Sequence, residues 1–179
     1  MIRHEGDAAR CAVLLPGIRY FSQAPLLWFA REAAHARGWS VVEVDERAPG
    51  DEEPFEWMRG QAQRALDAAS GAEVVVVVGK SLGSAAAPMV SGPAVWMTPL
   101  LNQPEIADAI ASATAPALLV GSRADPTWSE GTVPENDALE VLELDGLDHS
   151  LQVSRDPLAS LDVLRDVTAH VGAFLERLS

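Results

Sequence analysis

Residues 74–83 read Val74-Val75-Val76-Val77-Val78-Gly79-Lys80-Ser81-Leu82-Gly83, and this decapeptide decides the fold. Five consecutive β-branched side chains favour extended backbone. Their lack of alternation means that both faces are buried, as in the middle of a parallel sheet covered by helices. The small residues that follow, from Ser81 to Ala87, read as a helix packed closely on that sheet. A strand that ends in glycine and passes at once into a helix is one step of a βαβ unit.

The same alternation runs outward in both directions. Upstream, 11–15 is an apolar strand stopped by Pro16-Gly17. Ser22 can cap, and Pro25 open, a helix on which Leu26, Phe29, Ala30, Ala33 and Ala34 recur before Gly38 stops it. Residues 40–45 form a second strand, and Pro54 opens a helix that presents Met58, Ala62, Ala65, Leu66 and Ala69 and ends at Gly71. Downstream come strands at 93–97, 116–121 and 138–144, a helix near 103–112, and a final helix after Asp156-Pro157 with Leu161, Leu164, Val171, Leu175 and Leu178 inward. The acidic stretch 45–53 reads as a solvated loop before the second helix. The expectation is one α/β domain over 1–179: a three-layer α/β/α sandwich on a mostly parallel sheet of about six strands.

Composition narrows the function classes. The 26 acidic and 13 basic side chains give a formal charge of −13, a surface that repels phosphate backbones and anionic membranes. Nucleic-acid and membrane partners are therefore not expected. Cys11 is the single cysteine, so no intramolecular disulfide forms, and its place in an apolar run points to the core. The first residues carry no signal-peptide pattern and no run reaches the ~20 apolar residues of a membrane span; a cytoplasmic location follows as the expectation. The histidines and the cysteine show no zinc-ligand spacing, so neither metal nor organic cofactor is expected.

In an open parallel sheet, ligands gather beyond the carboxyl ends of the strands. There Gly79-Lys80-Ser81-Leu82-Gly83 supplies G-x-S-x-G between strand and helix, the setting of a nucleophile elbow. A P-loop needs a glycine five residues before Gly79-Lys80; that position is Val74, so phosphate binding fails. A serine needs a base. His4 lies at the N-terminus, and His35 and His170 fall within helices, whereas His149 follows the last strand in Asp145-Gly146-Leu147-Asp148-His149. A third group must orient the imidazole: Asp125, in Gly121-Ser122-Arg123-Ala124-Asp125-Pro126 at a strand end, is the first candidate, ahead of Asp148, Asp145 and Asp108.

The chain order Ser81, Asp125, His149 resembles that of the α/β-hydrolase superfamily from about residue 11 to the C-terminus. The resemblance implies the α/β-hydrolase fold, with Ser81 as nucleophile, His149 as base and Asp125 as acid. It also implies an oxyanion hole from the amides of Leu82 and Ile18, or Arg19 as an alternative donor. Relatives often carry His-Gly where this chain has Pro16-Gly17, and an aromatic residue or His at Lys80. With no long insertion between 98 and 116, the site is expected to be open, resembling that of small lidless esterases and dienelactone-hydrolase-like proteins. Arg19, Tyr20, Thr98, Leu100, Trp128 and Leu147 are candidate walls. The implied activity is cleavage of an ester, thioester or similar acyl bond in a small molecule. A binding or scaffold protein on the same fold, or an acyltransferase or perhydrolase with the same three residues, is the alternative.

Overall fold

The valine run forms β4 (Val74–Lys80), the central strand of a seven-stranded sheet. The computed structural model describes residues 1–44, 51–129 and 133–178. In chain order the elements are β1 (Ile2–His4), β2 (Asp7–Leu15), α1 (Pro25–His35), β3 (Trp39–Glu43), α2 (Pro54–Ala69), β4, a 3₁₀ helix (Ser81–Met89), β5 (Ala94–Met97), α3 (Pro104–Ala111), β6 (Ala117–Ser122), α4 (Pro126–Ser129), β7 (Leu139–Leu144) and α5 (Pro157–Arg177). Across the sheet the strands run β1-β3-β2-β4-β5-β6-β7. Most of the loop expected at 45–53, and the last residue of the strand expected at 40–45, lie outside the described residues.

Six strands are parallel, and β1 is the seventh, antiparallel to β3 with Ile2 opposite Glu43. The expectation of about six missed it because three residues are too short for a periodic signal. Each inner strand alternates between two cores. On β2, Cys11, Val13 and Leu15 face α2, the 3₁₀ helix and α3, whereas Ala12 and Leu14 face α1 and α5. On β4, Val77 joins the first core and Val76 and Val78 the second, the two-sided burial that the unalternating sequence implies. No helix among the described residues is long and apolar enough to cross a membrane.

Every α-helix among the described residues begins at a proline: Pro25, Pro54, Pro104, Pro126 and Pro157. The first turn has no use for the missing N–H, and the fixed φ is already helical. Three local expectations need correction. Ser22 is buried and does not cap α1, whose N-cap residue is Ala24; instead the Tyr20 hydroxyl accepts the Leu26 N–H at 3.1 Å. The helix at 81–87 is 3₁₀ and runs to Met89. Pro88 cannot donate within it, and the Ser84 hydroxyl takes up the Ser81 carbonyl at 2.7 Å; both oppose an i→i+4 ladder. Phe29 and Leu161, expected inward, are exposed.

The core also holds a charge. Glu43, fully buried on β3, receives Arg31 Nη1 of α1 at 2.9 Å and Gln23 Nε2 at 3.3 Å, and His4 Nε2 of β1 lies 3.0 Å from it. These groups pin the edge strand and the loop before α1 to β3. Removing Glu43 leaves the buried Arg31 with Glu32, at 2.9 Å, as its remaining carboxylate, so Glu43→Ala should lose up to about 3–5 kcal/mol of unfolding free energy in urea titration. The pair Arg31→Met, Glu43→Leu should recover most of it; equal losses for the single and double variants would contradict this account.

Candidate active site

The elbow is built by close approach. Ser81 sits at φ +51°, a left-handed conformation that costs a non-glycine residue free energy. The two motif glycines make room for it. A Cβ on Gly79 would lie 2.6 Å from the Trp96 ring, and one on Gly83 would overlap the Leu15 carbonyl oxygen. Leu15 pairs with Gly79 across the sheet, so the end of β2 lies directly against the turn. The result lifts a half-buried Ser81 side chain above the carboxyl end of β4.

The other two strand ends converge on it. His149 Nε2 is 2.7 Å from Ser81 Oγ, and Nδ1 is 2.7 Å from Asp125 Oδ2. With the imidazole proton on Nδ1, that nitrogen donates to the carboxylate and Ser81 donates to Nε2. Asp125 is fully buried. Burial pushes its carboxyl up, but the hydrogen bond and charge of His149, with bonds from Thr127, outweigh this and hold it below its ordinary 3.8. Thr127 was not legible as a site residue. Its N–H and hydroxyl both donate to Asp125 Oδ1, at 3.0 and 2.9 Å, and its oxygen lies 3.2 Å from His149 Nδ1. Asp followed two residues later by a hydroxyl is an Asx-turn signal that could have flagged it.

Asp148, Asp145 and Asp108 do not reach the imidazole. Asp148 Oδ1 accepts the N–H groups of Ser150 and Gln152 and so shapes the loop that carries His149. Asp145 pairs with Arg123, and Asp108 is exposed on α3. A buried Ser122 hydroxyl accepts from both Ala124 N–H (3.3 Å) and Leu147 N–H (3.1 Å), tying the Asp125 loop to the His149 loop.

No family model and no curated protein matches this sequence at a significant level. Solved structures do. Est1E from Butyrivibrio proteoclasticus, in a structure with ferulic acid bound, superposes with a TM-score of 0.70 at 14% identity, over 98% of this chain and 93% of that one. Mouse alpha/beta hydrolase domain-containing protein 10 gives 0.68 at 14%, over 99% and 94%. XC6422 from Xanthomonas campestris, described as an α/β serine hydrolase without a lid, gives 0.67 at 13%, over 98% and 84%.

The chain has the α/β-hydrolase fold. Within it, the loop after β2 closes as a two-residue turn, Gly17 N–H to Tyr20 O and Tyr20 N–H to Gly17 O, both 3.2 Å, with Arg19 at φ +56°. A Cβ on Gly17 would lie 3.1 Å from Ser81 Cβ, which sets this turn, and with it Ile18, beside the serine. Leu82 is the second residue of the 3₁₀ helix, so its N–H falls in the first turn, where a helix offers no acceptor. Between β5 and β6 this α/β-hydrolase fold carries only α3 and short loops among its elements.

Three expected wall residues are core residues instead. Trp128 is 1% exposed and lies flat over Gly121, where a Cβ would overlap its ring, with Nε1 donating to Glu143 Oε2 at 2.9 Å. Thr98 and Leu147 are buried as well. Of the others, Arg19 is exposed, Leu100 half-buried, and Tyr20 half-buried beside Lys80.

Lys80, between the strand and the serine, is only 2% exposed. Its Nζ donates to the His149 carbonyl at 2.9 Å and sits 4.8 Å from the centre of the Tyr20 ring. Desolvation lowers its ammonium from 10.5 to about 8, against the pull of Asp125 and Asp148, which corresponds to roughly 3 kcal/mol against the charged form. The tether is thus held at a cost in stability. Between pH 8 and 10.5 the unfolded lysine keeps a proton that the folded one has lost, so stability rises with pH across that window. Relative to Lys80→Met, the wild type should gain on the order of 3 kcal/mol between pH 7 and pH 10.5 in urea unfolding; parallel pH curves would contradict the buried ammonium.

Proposed function

We propose that this chain hydrolyses an ester, thioester or related acyl bond of a small molecule through an acyl-Ser81 intermediate. The observation that carries the reading is the unbroken sequence of 2.7 Å contacts from Ser81 Oγ through His149 to Asp125. XC6422 is described as a serine hydrolase and the mouse protein is named an alpha/beta hydrolase, which supports the same class of chemistry.

The steps follow from the geometry. Ser81 Oγ attacks the acyl carbon as His149 Nε2 takes its proton, and the carbonyl oxygen becomes an alkoxide. The amides of Leu82 and Ile18 donate to that oxygen; fixed donors aimed at developing charge are commonly the largest single contribution to such catalysis. Asp125 stabilises the imidazolium through Nδ1 and is kept in place by Thr127. The C–O or C–S bond then breaks, and His149 passes its proton to the departing oxygen or sulfur. Water repeats the cycle: it gives a proton to Nε2, attacks the acyl carbon, and releases the acid as Ser81 recovers its hydrogen.

Turnover of p-nitrophenyl acetate and acetyl thioesters tests the reading. Ser81→Ala and His149→Ala should each lower kcat by about 10³-fold or more, and Asp125→Asn by about 10²–10⁴-fold through the wrong imidazole tautomer. Thr127→Val should cost less than Asp125→Asn, because it removes an orienting bond and leaves the charge. A Ser81→Ala variant that keeps the wild-type rate would overturn the proposal.

A further inference from the structure

Lysine is an expensive choice for the last residue of β4. Its stem runs through the interior and ends in an ammonium that burial disfavours. An unbranched apolar side chain such as methionine would fill the same space without that penalty. The contacts of the ammonium show what the charge is for. Nζ donates to the His149 carbonyl at 2.9 Å, a charge-assisted bond to the backbone of the residue that bonds Ser81. The same Nζ lies 4.8 Å from the centre of the Tyr20 ring, within reach of a cation–π contact.

Tyr20 closes the turn after β2 that carries Ile18. The lysine stem supports that turn as well, since a Cβ on Gly17 would lie 3.3 Å from Lys80 Cδ. One side chain, next in sequence to Ser81, therefore spans from the turn beside the serine to the loop that carries its histidine. The bonds among His149, Asp125 and Thr127 join the loops after β6 and β7 to each other; Lys80 brings in the turn after β2.

In the hydrolase reading, on which this inference rests, these two segments act on one event. His149 Nε2 takes the Oγ proton while the Ile18 amide meets the charge growing on the carbonyl oxygen. Their separation must be held closely, because a misplacement of ~1 Å can cost about 10²-fold in rate. We infer that Lys80 is a positioning residue: its ammonium, held between the Tyr20 ring and the His149 carbonyl, sets the distance between the oxyanion turn and the base.

Both contacts draw their strength from the positive charge. The titratable groups around it are Asp125, Asp148, the Tyr20 phenol and His149. The two carboxylates favour the charge, and burial holds the phenol above its ordinary 10 and so neutral. Burial brings the ammonium down to about 8. The clamp is complete below that pH and loosens as the pH rises through it.

The test is turnover of p-nitrophenyl acetate by the wild type, Lys80→Met, Tyr20→Leu and the double variant, with near-ultraviolet circular dichroism to confirm folding. Both half-reactions use the base and the oxyanion donors, so Lys80→Met should lose about 10²-fold in kcat at pH 7 with KM within about threefold. Tyr20→Leu should lose about fivefold or more beside Lys80 and less than about twofold in the Lys80→Met background, since the ring acts through the ammonium. Wild-type kcat should fall at least about fivefold between pH 7 and pH 9.5. A merely structural effect runs the other way, because the fold gains stability across that range, and this limb decides the matter even where a variant does not fold. A folded Lys80→Met protein with the wild-type kcat, additive losses in the double variant, or a wild-type kcat level to pH 9.5 would each overturn the inference while Ser81-dependent hydrolysis stood. A wild type that turns over no ester and takes no fluorophosphonate on Ser81 would sink the inference and the hydrolase reading together.

Discussion

Ser81 holds its backbone at φ +51°, and much of the molecule serves to keep it there. The turn is tolerable because two glycines let Trp96 and the end of β2 come into contact with it. Trp96 is buried on β5 and Leu15 on β2, so the strands on either side of β4 clamp the strained residue. Backbone strain of ~1–3 kcal/mol persists only where packing over-determines it. Here the packing is the centre of the sheet, the region with fewest ways to relax. A residue held in this left-handed conformation is also the one whose hydroxyl needs a fixed direction.

Around this point the protein spends polar groups where apolar ones would pack with less penalty. Asp125, Ser122 and Lys80 are all buried, and each ties one loop to another. Asp125 joins the loop after β6 to His149, Ser122 joins the same loop to Leu147, and Lys80 joins the elbow to the His149 carbonyl. Three strand ends are therefore cross-linked by hydrogen bonds, one between side chains and two from a side chain to fixed backbone. Such a network resists rearrangement, since a half-broken member leaves a desolvated group without a partner. A site assembled from loops thereby gains the rigidity of the sheet beneath it.

The sequence disclosed the parts of this arrangement that repeat or that carry a short motif. Unalternating valines declare a central strand, prolines declare helix starts, and Gly79-x-Ser81-x-Gly83 declares the turn. Asp125 and His149 were legible because each follows a strand. What stayed hidden depends on how separate loops meet. Lys80 looked like a departure from a motif, and only the fold brings its ammonium to the His149 carbonyl, sixty-nine residues away. Trp128, three residues after Asp125, looked like a wall of the site. Adjacency in sequence does not fix a direction, and the short α4 turns the indole onto Gly121. Strand β1 was too short to register, and Glu43 was hidden in an apolar strand because its partners come from α1, β1 and the loop between β2 and α1.

The central claim is that His149 and Asp125 make Ser81 nucleophilic. Its most direct measure is the intact mass of the folded protein after exposure to a fluorophosphonate, followed by peptide mapping. The account predicts one adduct, located on Ser81, that forms at least about 10³-fold more slowly when His149 is replaced by alanine. A folded wild type that takes up no adduct, or one whose label lies on another serine, would contradict it.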